Sequence, residues 1–74
     1  MHSYALLAQR QYAYGHLDAA CDSWGRLLDE YEHVSSARGD DHFEMMTTQL
    51  RRHTNARPVR ELAGRAREVA ALKN

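Results

Sequence analysis

Several features that stabilise or target small proteins are scarce in this chain of 74 residues, which has one cysteine and one proline. Because Cys21 stands alone, no disulfide can form within the chain, and its place on an apolar helical stripe predicts a buried, reduced thiol. No apolar run approaches the roughly 18 residues that a membrane span needs. The first residues also lack the basic region and cleavage site of a secretory signal. We therefore expect a cytoplasmic protein with no membrane partner.

A net charge is also missing, since ten basic side chains balance ten acidic ones. The balance conceals an asymmetry, because residues 1–37 carry two basic and five acidic side chains and residues 38–74 carry eight basic and five acidic ones. We interpret these charges as solvated helix faces, with a complementary docking surface as the alternative. The neutral isoelectric point and the interleaved acids argue against a dedicated nucleic-acid binder, despite the arginines of the last third.

Groups of residues that support catalysis or metal binding are few. Asp40, Asp41 and His42 are adjacent, with His33 upstream, yet the two acids are better explained as the negatively charged start of a helix. The glycines are isolated from one another, so the sequence has no phosphate-binding loop. Cys21 lies on an apolar stripe and has no activating partner at a suitable spacing. The sequence thus predicts no enzyme, no cofactor and no metal site.

The chain is rich in apolar side chains that recur every three or four residues, the spacing of a helix packed on a neighbour. The clearest stripe runs over residues 17–31 and follows a turn at Gly15. The segment before the turn, residues 3–14, is apolar on most sides and predicts a second helix. Because a tight turn joins the two, we expect an antiparallel hairpin within residues 1–34.

A second, more degenerate pair of helices is expected within residues 35–74. The third helix should begin at Asp40 or Asp41, with Ser36 as an earlier alternative start. The fourth should begin at Pro58, because proline suits the first helical position. The residues expected to point inward from these two helices are Phe43, Met46, Leu50, Val59, Leu62, Ala63, Ala66, Val69 and Ala70. No segment alternates like a strand, so the sequence predicts a single all-α domain of four antiparallel helices.

Large and small residues occupy fixed offsets in the first hairpin, at Tyr4, Leu7, Ala8, Gly15, Ala20 and Trp24. This pattern resembles a tetratricopeptide repeat, although Gln11, Leu27 and Glu32 depart from the motif. The resemblance implies stacked helical hairpins in which small residues let paired helices approach closely. It also implies a structural core that contains Tyr4, Leu7, Ala8, Ala20, Trp24 and Leu28.

Four longer stretches extend the likeness over nearly the whole chain, at residues 15–21, 34–38, 50–52 and 58–62. They resemble the C-terminal repeat region of large actinobacterial helix-turn-helix transcriptional regulators. The resemblance implies a module for ligand sensing or self-association, without the DNA-binding domain, for which these residues leave no room. The chain is then either a fragment of such a regulator or a small stand-alone relative.

The first helix carries more apolar surface than one hairpin contact uses. We expect Leu6, Gln9, Tyr12 and Ala13 to form an exposed interaction surface, with ordinary scattered surface residues as the alternative. The main interpretation is a protein-interaction or self-association module of a bacterial regulatory protein, which forms a symmetric homodimer. The alternative is a sensing domain in which Tyr12 and Gln9 line an aromatic groove for a peptide or small molecule.

Overall fold

A computed structural model of the protein describes residues 2–33 and 37–73. Within these residues the chain forms four α-helices and no strand, which confirms the predicted all-α class. The helices are α1 (His2–Ala13), α2 (Leu17–Tyr31), α3 (Ala37–Leu50) and α4 (Arg57–Lys73), and a 3-10 turn at Arg51–His53 follows α3. None of the helices in this described part is both long and apolar enough to cross a bilayer.

The reversal between α1 and α2 is set by Gly15, as the sequence predicts. Gly15 has a φ of +83°, in the left-handed region that glycine adopts without steric cost. Its N–H donates to the carbonyl of Tyr12 at 3.1 Å, and the N–H of His16 donates to the carbonyl of Gln11 at 2.8 Å. These two bonds define a Schellman motif, which satisfies the last carbonyls of α1 and points the chain back along it.

The start of α3 is earlier than Asp40, where sequence reasoning placed it first. The helix already includes Ala37, while the alternative start at Ser36 lies outside the described residues. The hydroxyl of Tyr31 donates a hydrogen bond to the Asp40 carboxylate. This tertiary contact holds the first turn of α3 in place. The helix propensities of the residues around Asp40 could not predict it.

The core is organised around α2, which supplies six of the fourteen buried apolar side chains in the described part of the chain. The α2 residues buried in it are Ala20, Cys21, Ser23, Trp24, Leu27, Leu28 and Tyr31. The other three helices add Ala5, Ala8, Met46, Leu50, Val59, Leu62, Ala66 and Val69. Because every other helix contacts α2, this helix is the element on which the rest of the domain packs.

Leu7 was predicted to be a core residue, and this prediction is wrong, because 45% of Leu7 is exposed. Ala5 is buried instead, since α1 turns Ala5 and Ala8 toward α2. At about 100° per residue, Leu7 lies about 130° around the helix axis from the direction midway between Ala5 and Ala8, so its side chain is turned away from α2. The remaining residues of the predicted core are buried or, for Tyr4, packed at its edge: Tyr4, Ala8, Ala20, Trp24 and Leu28.

The two helical pairs pack differently. The contact between α1 and α2 is the most extensive in the molecule, whereas α4 contacts α2 more than it contacts α3. A groove separates α3 from α4 along much of their length. The second pair is therefore splayed, and the stacking of two tetratricopeptide-like hairpins stays a prediction.

Candidate interaction surfaces

The first candidate surface is the side of α1 that points away from α2. It contains three large exposed side chains, Leu6 at 49%, Leu7 at 45% and Tyr14 at 79% exposure. Ser3, Arg10 and Ala13 are also exposed and lie on the same side of the helix. We call these six residues the outer face of α1. It is mainly apolar, and it carries one cation and no acid, because α1 has no acidic residue.

The residues predicted for the interaction surface divide between two environments. Leu6 and Ala13 lie on the outer face, and Gln9 is half-buried at its border. Tyr12 does not belong to this surface, because its ring packs 5.8 Å from the ring of Trp24 and 5.5 Å from that of His53. A tyrosine ring is buried at little cost when its hydroxyl keeps a hydrogen-bond partner. Here the partner is His53 Nε2, 2.9 Å from the hydroxyl oxygen.

Gln11 is one of the residues that depart from the tetratricopeptide pattern that the sequence resembles. The motif favours an aromatic residue here, but the side-chain carbonyl of Gln11 accepts a hydrogen bond of 2.6 Å from Ser23 Oγ. Ser23 is 5% exposed, and a buried hydroxyl without a partner would destabilise the hairpin. Gln11 therefore serves the packing of α1 on α2 rather than an external ligand.

Tyr12→Phe should destabilise the domain by about 1 kcal/mol, because the change removes one hydrogen bond and leaves the ring in place. Urea unfolding followed by circular dichroism would measure the change. Tyr14→Phe is the matched control, since Tyr14 is exposed and should unfold like the wild type. If the two variants prove equally stable, the bond between Tyr12 and His53 contributes nothing to folding.

Tyr31, the last residue of α2, contacts the first half of α3 and the end of α4. Its ring stacks on Phe43 with 5.1 Å between centroids, and Lys73 Nζ lies 4.4 Å from its centroid. Burial, and then the hydrogen bond to Asp40, raise the pKa of Tyr31 to about 12. The phenol is therefore neutral near pH 7, the form in which its hydroxyl donates the hydrogen bond to Asp40.

Arg65 joins α4 to α2 from the side opposite α1. Its guanidinium donates to the carbonyl of Gly25 at 3.1 Å and forms an ion pair with Asp29. Glu61 and Arg65 also stand four residues apart on α4, a spacing at which opposite charges can pair. Glu61 pairs with Arg57 at 3.5 Å, because Arg65 is turned toward α2.

The second candidate surface is the groove between α3 and α4, with a volume of about 620 Å³. Apolar side chains dominate its floor, namely Phe43, Leu50, Val59, Ala63, Ala66 and Ala70. The polar residues along it are Thr47, Arg51, Thr54, Arg60 and Arg67, and none of the residues that line it is acidic. Sequence reasoning placed a ligand groove beside Tyr12 and Gln9, and neither lines this one. One part of the sequence could have indicated this groove. Arg60 and Arg67 stand seven residues apart, with alanines at helical spacing between and after them.

The single cysteine is part of the core. Cys21 is 7% exposed, and burial, followed by the charges of Asp18 and Asp22, raises the pKa of its thiol. A raised pKa disfavours the nucleophilic thiolate. In the described stretches, residues 2–33 and 37–73, no three side chains of the metal-binding types come together.

Comparisons with known proteins add no relative to this picture, because no protein-family model, no curated protein and no solved structure matches the chain. The resemblance to tetratricopeptide repeats and to actinobacterial regulators therefore stays a prediction.

Proposed function

We propose that this chain is a non-catalytic interaction module of a cytoplasmic bacterial regulatory protein, and that two copies associate through the outer face of α1. The observation that carries the proposal is the exposure of Leu6, Leu7 and Tyr14 on one side of α1 and of the turn residue that directly follows it. Single apolar residues are ordinary on protein surfaces, but a contiguous apolar stripe marks a contact site.

A second copy is the partner that the outer face fits best. Two α1 helices packed antiparallel about a two-fold axis near Arg10 place Leu6 and Leu7 of one copy opposite Ala13 and Tyr14 of the other. The two leucines of each copy then pack against the small Ala13 and the ring of Tyr14 of the other copy. Each copy contributes the same patch to the contact. The stem of Arg10 can lie along the apolar contact while its guanidinium reaches solvent. A domain of this size also gains stability from association, because its own core is small.

The positions of Tyr12 and Gln9 give no support to the alternative of an aromatic sensing groove in the first hairpin. Tyr12 contacts Trp24 and His53, and Gln9 is half-buried beside the outer face. A ligand that used the Tyr12 hydroxyl would have to break its hydrogen bond with His53.

Sedimentation velocity at micromolar concentration tests the proposal. We expect the wild type to sediment as a dimer and the variant Leu6→Glu, Leu7→Glu to sediment as a monomer, because two carboxylates cannot be buried in the apolar contact without a large penalty. Circular dichroism should show the same helical content in both proteins, since both leucines lie outside the core.

The matched control is Leu72→Glu, which changes a leucine that is 70% exposed on a different helix. It should remain dimeric. A wild type that stays monomeric over the micromolar range would disprove self-association through this face. Equal dissociation by Leu72→Glu would show that the contact is not made by α1.

A further inference from the structure

We infer that the groove between α3 and α4 is a second docking site, and that its occupant is an acidic amphipathic helix of a different protein. The groove begins where the short connection at residues 51–56 holds the end of α3 next to the start of α4. On α4 its residues recur at helical spacing from Val59 to Ala70. At 1.5 Å per residue this is a length of about 17 Å, or three helical turns.

The shape of the groove suits a helix. Ala63, Ala66 and Ala70 make the α4 wall low, so the backbone of a docked helix can approach closely. Val59 and Leu50 are already buried at its base, and Phe43 packs at the end far from the connection. Recognition of this kind places the apolar ridge of an amphipathic helix, at positions i, i+3 or i+4 and i+7, in a trough between two helices.

The charge of the groove specifies an acidic partner. Arg51, Arg60 and Arg67 are exposed along it. Among the described residues none of the three forms an ion pair, whereas Arg57 and Arg65 are both paired with acids of this chain. A complementary partner helix has apolar residues on one side, which contact the floor of the groove, and glutamate or aspartate beside them, which pair with the arginines.

The same charges disfavour a second copy of this chain in the groove. The outer face of α1 has no acid, and its Arg10 would add a fourth positive charge. The acidic helix α2 has its apolar side buried in the core and cannot offer it to a neighbour. A fatty acid also fits less well, because one carboxylate leaves two arginines without a partner and because small-molecule sites enclose most of their ligand.

Fluorescence anisotropy with two labelled peptides tests the inference. Both have about 18 residues, or five helical turns, with leucine at every third or fourth position. One has glutamate and the other lysine at the flanking positions. We expect the wild type to bind the glutamate peptide at concentrations up to about 100 µM and not the lysine peptide. Added salt should weaken the binding, because the arginines are exposed.

Variants of the chain locate the site. Arg60→Glu should weaken binding of the glutamate peptide about fivefold, and Arg60→Glu combined with Arg67→Glu by tenfold or more, about the size expected when exposed charge pairs are reversed. Arg52→Glu is the matched control, since Arg52 is exposed but does not line the groove. It should change the affinity less than about twofold. The variants should keep wild-type helical content.

Three results would overturn the inference. The glutamate peptide could fail to bind, the two peptides could bind equally, or Arg52→Glu could weaken binding as much as Arg60→Glu does. Titration with dodecanoate completes the test. Binding of dodecanoate that depends on Arg60, without binding of the glutamate peptide, would assign the groove to a small anionic lipid instead.

Discussion

Trp24→Ala should unfold the domain, with an expected loss of about 3 to 5 kcal/mol in the free energy of unfolding. Trp24 is 1% exposed in the middle of α2, the helix that all the others contact. Its ring supports Tyr12 and, through Tyr12, the position of His53. Small domains have total stabilities of about 5 kcal/mol or somewhat more, so the loss of this one ring would leave little folded protein.

Thermal and urea unfolding followed by circular dichroism measure this loss. Leu72→Ala is the control, because it truncates a large apolar side chain that is 70% exposed and lies outside the outer face of α1, so it should change stability little. A cooperative unfolding transition of Trp24→Ala close to that of the wild type would contradict the central place of Trp24. Self-association adds apparent stability, so both variants should be compared at one protein concentration.

The class of fold and the first hairpin were predictable because their signals are local. The apolar residues of α2 recur at helical spacing along one side, and that side is the buried one. The sequence therefore indicated directly which side of α2 faces the core. Gly15 likewise predicted the turn between α1 and α2, since the left-handed conformation that ends α1 is one that glycine favours. Neither prediction required knowledge of a residue far away in the chain.

The errors in the first helix have a different origin. Because α1 is apolar on two sides, periodicity could not say which side faces α2, and the repeat motif favoured Leu7 where the structure buries Ala5. Tyr12 was assigned to the surface because its partner, His53, lies 41 residues away. The contact between Tyr31 and Asp40, which supports the start of α3, is also tertiary.

The groove between α3 and α4 could not be predicted from either helix alone. Each helix has an ordinary apolar side, and the sequence predicts that the two sides meet. The groove exists because α4 packs more on α2 than on α3. Arg65 contributes to this choice, since it binds the carbonyl of Gly25 and pairs with Asp29 instead of Glu61.

The two proposed surfaces differ in charge, so the effect of added salt distinguishes binding at one from binding at the other. Self-association through the outer face of α1 brings two Arg10 side chains near one axis, so added salt should not weaken it. Binding of an acidic helix in the groove should weaken with salt, because it depends on Arg51, Arg60 and Arg67. A Leu6→Glu, Leu7→Glu variant that is monomeric yet still binds the glutamate peptide would show that the two sites are independent.

Ala20→Leu should destabilise the domain by about 1 to 3 kcal/mol, because it adds three carbon atoms at a fully buried position. Ala20 and Ala8 are both 0% exposed, in the two helices that share the most extensive contact. Interiors are packed about as densely as organic crystals, so the added atoms must push α1 away from α2. That displacement would also disturb the packing of Tyr12 on Trp24.

The control for this change is Ala13→Leu, the same substitution at an exposed position of α1. It should leave the hairpin intact, and because it adds apolar area to the outer face it should strengthen self-association. Urea unfolding and sedimentation of the two variants together distinguish the inner side of α1 from its outer side. Equal stability of Ala20→Leu and the wild type would show that α1 and α2 do not approach closely at this position. Weaker self-association of Ala13→Leu would remove Ala13 from the proposed contact.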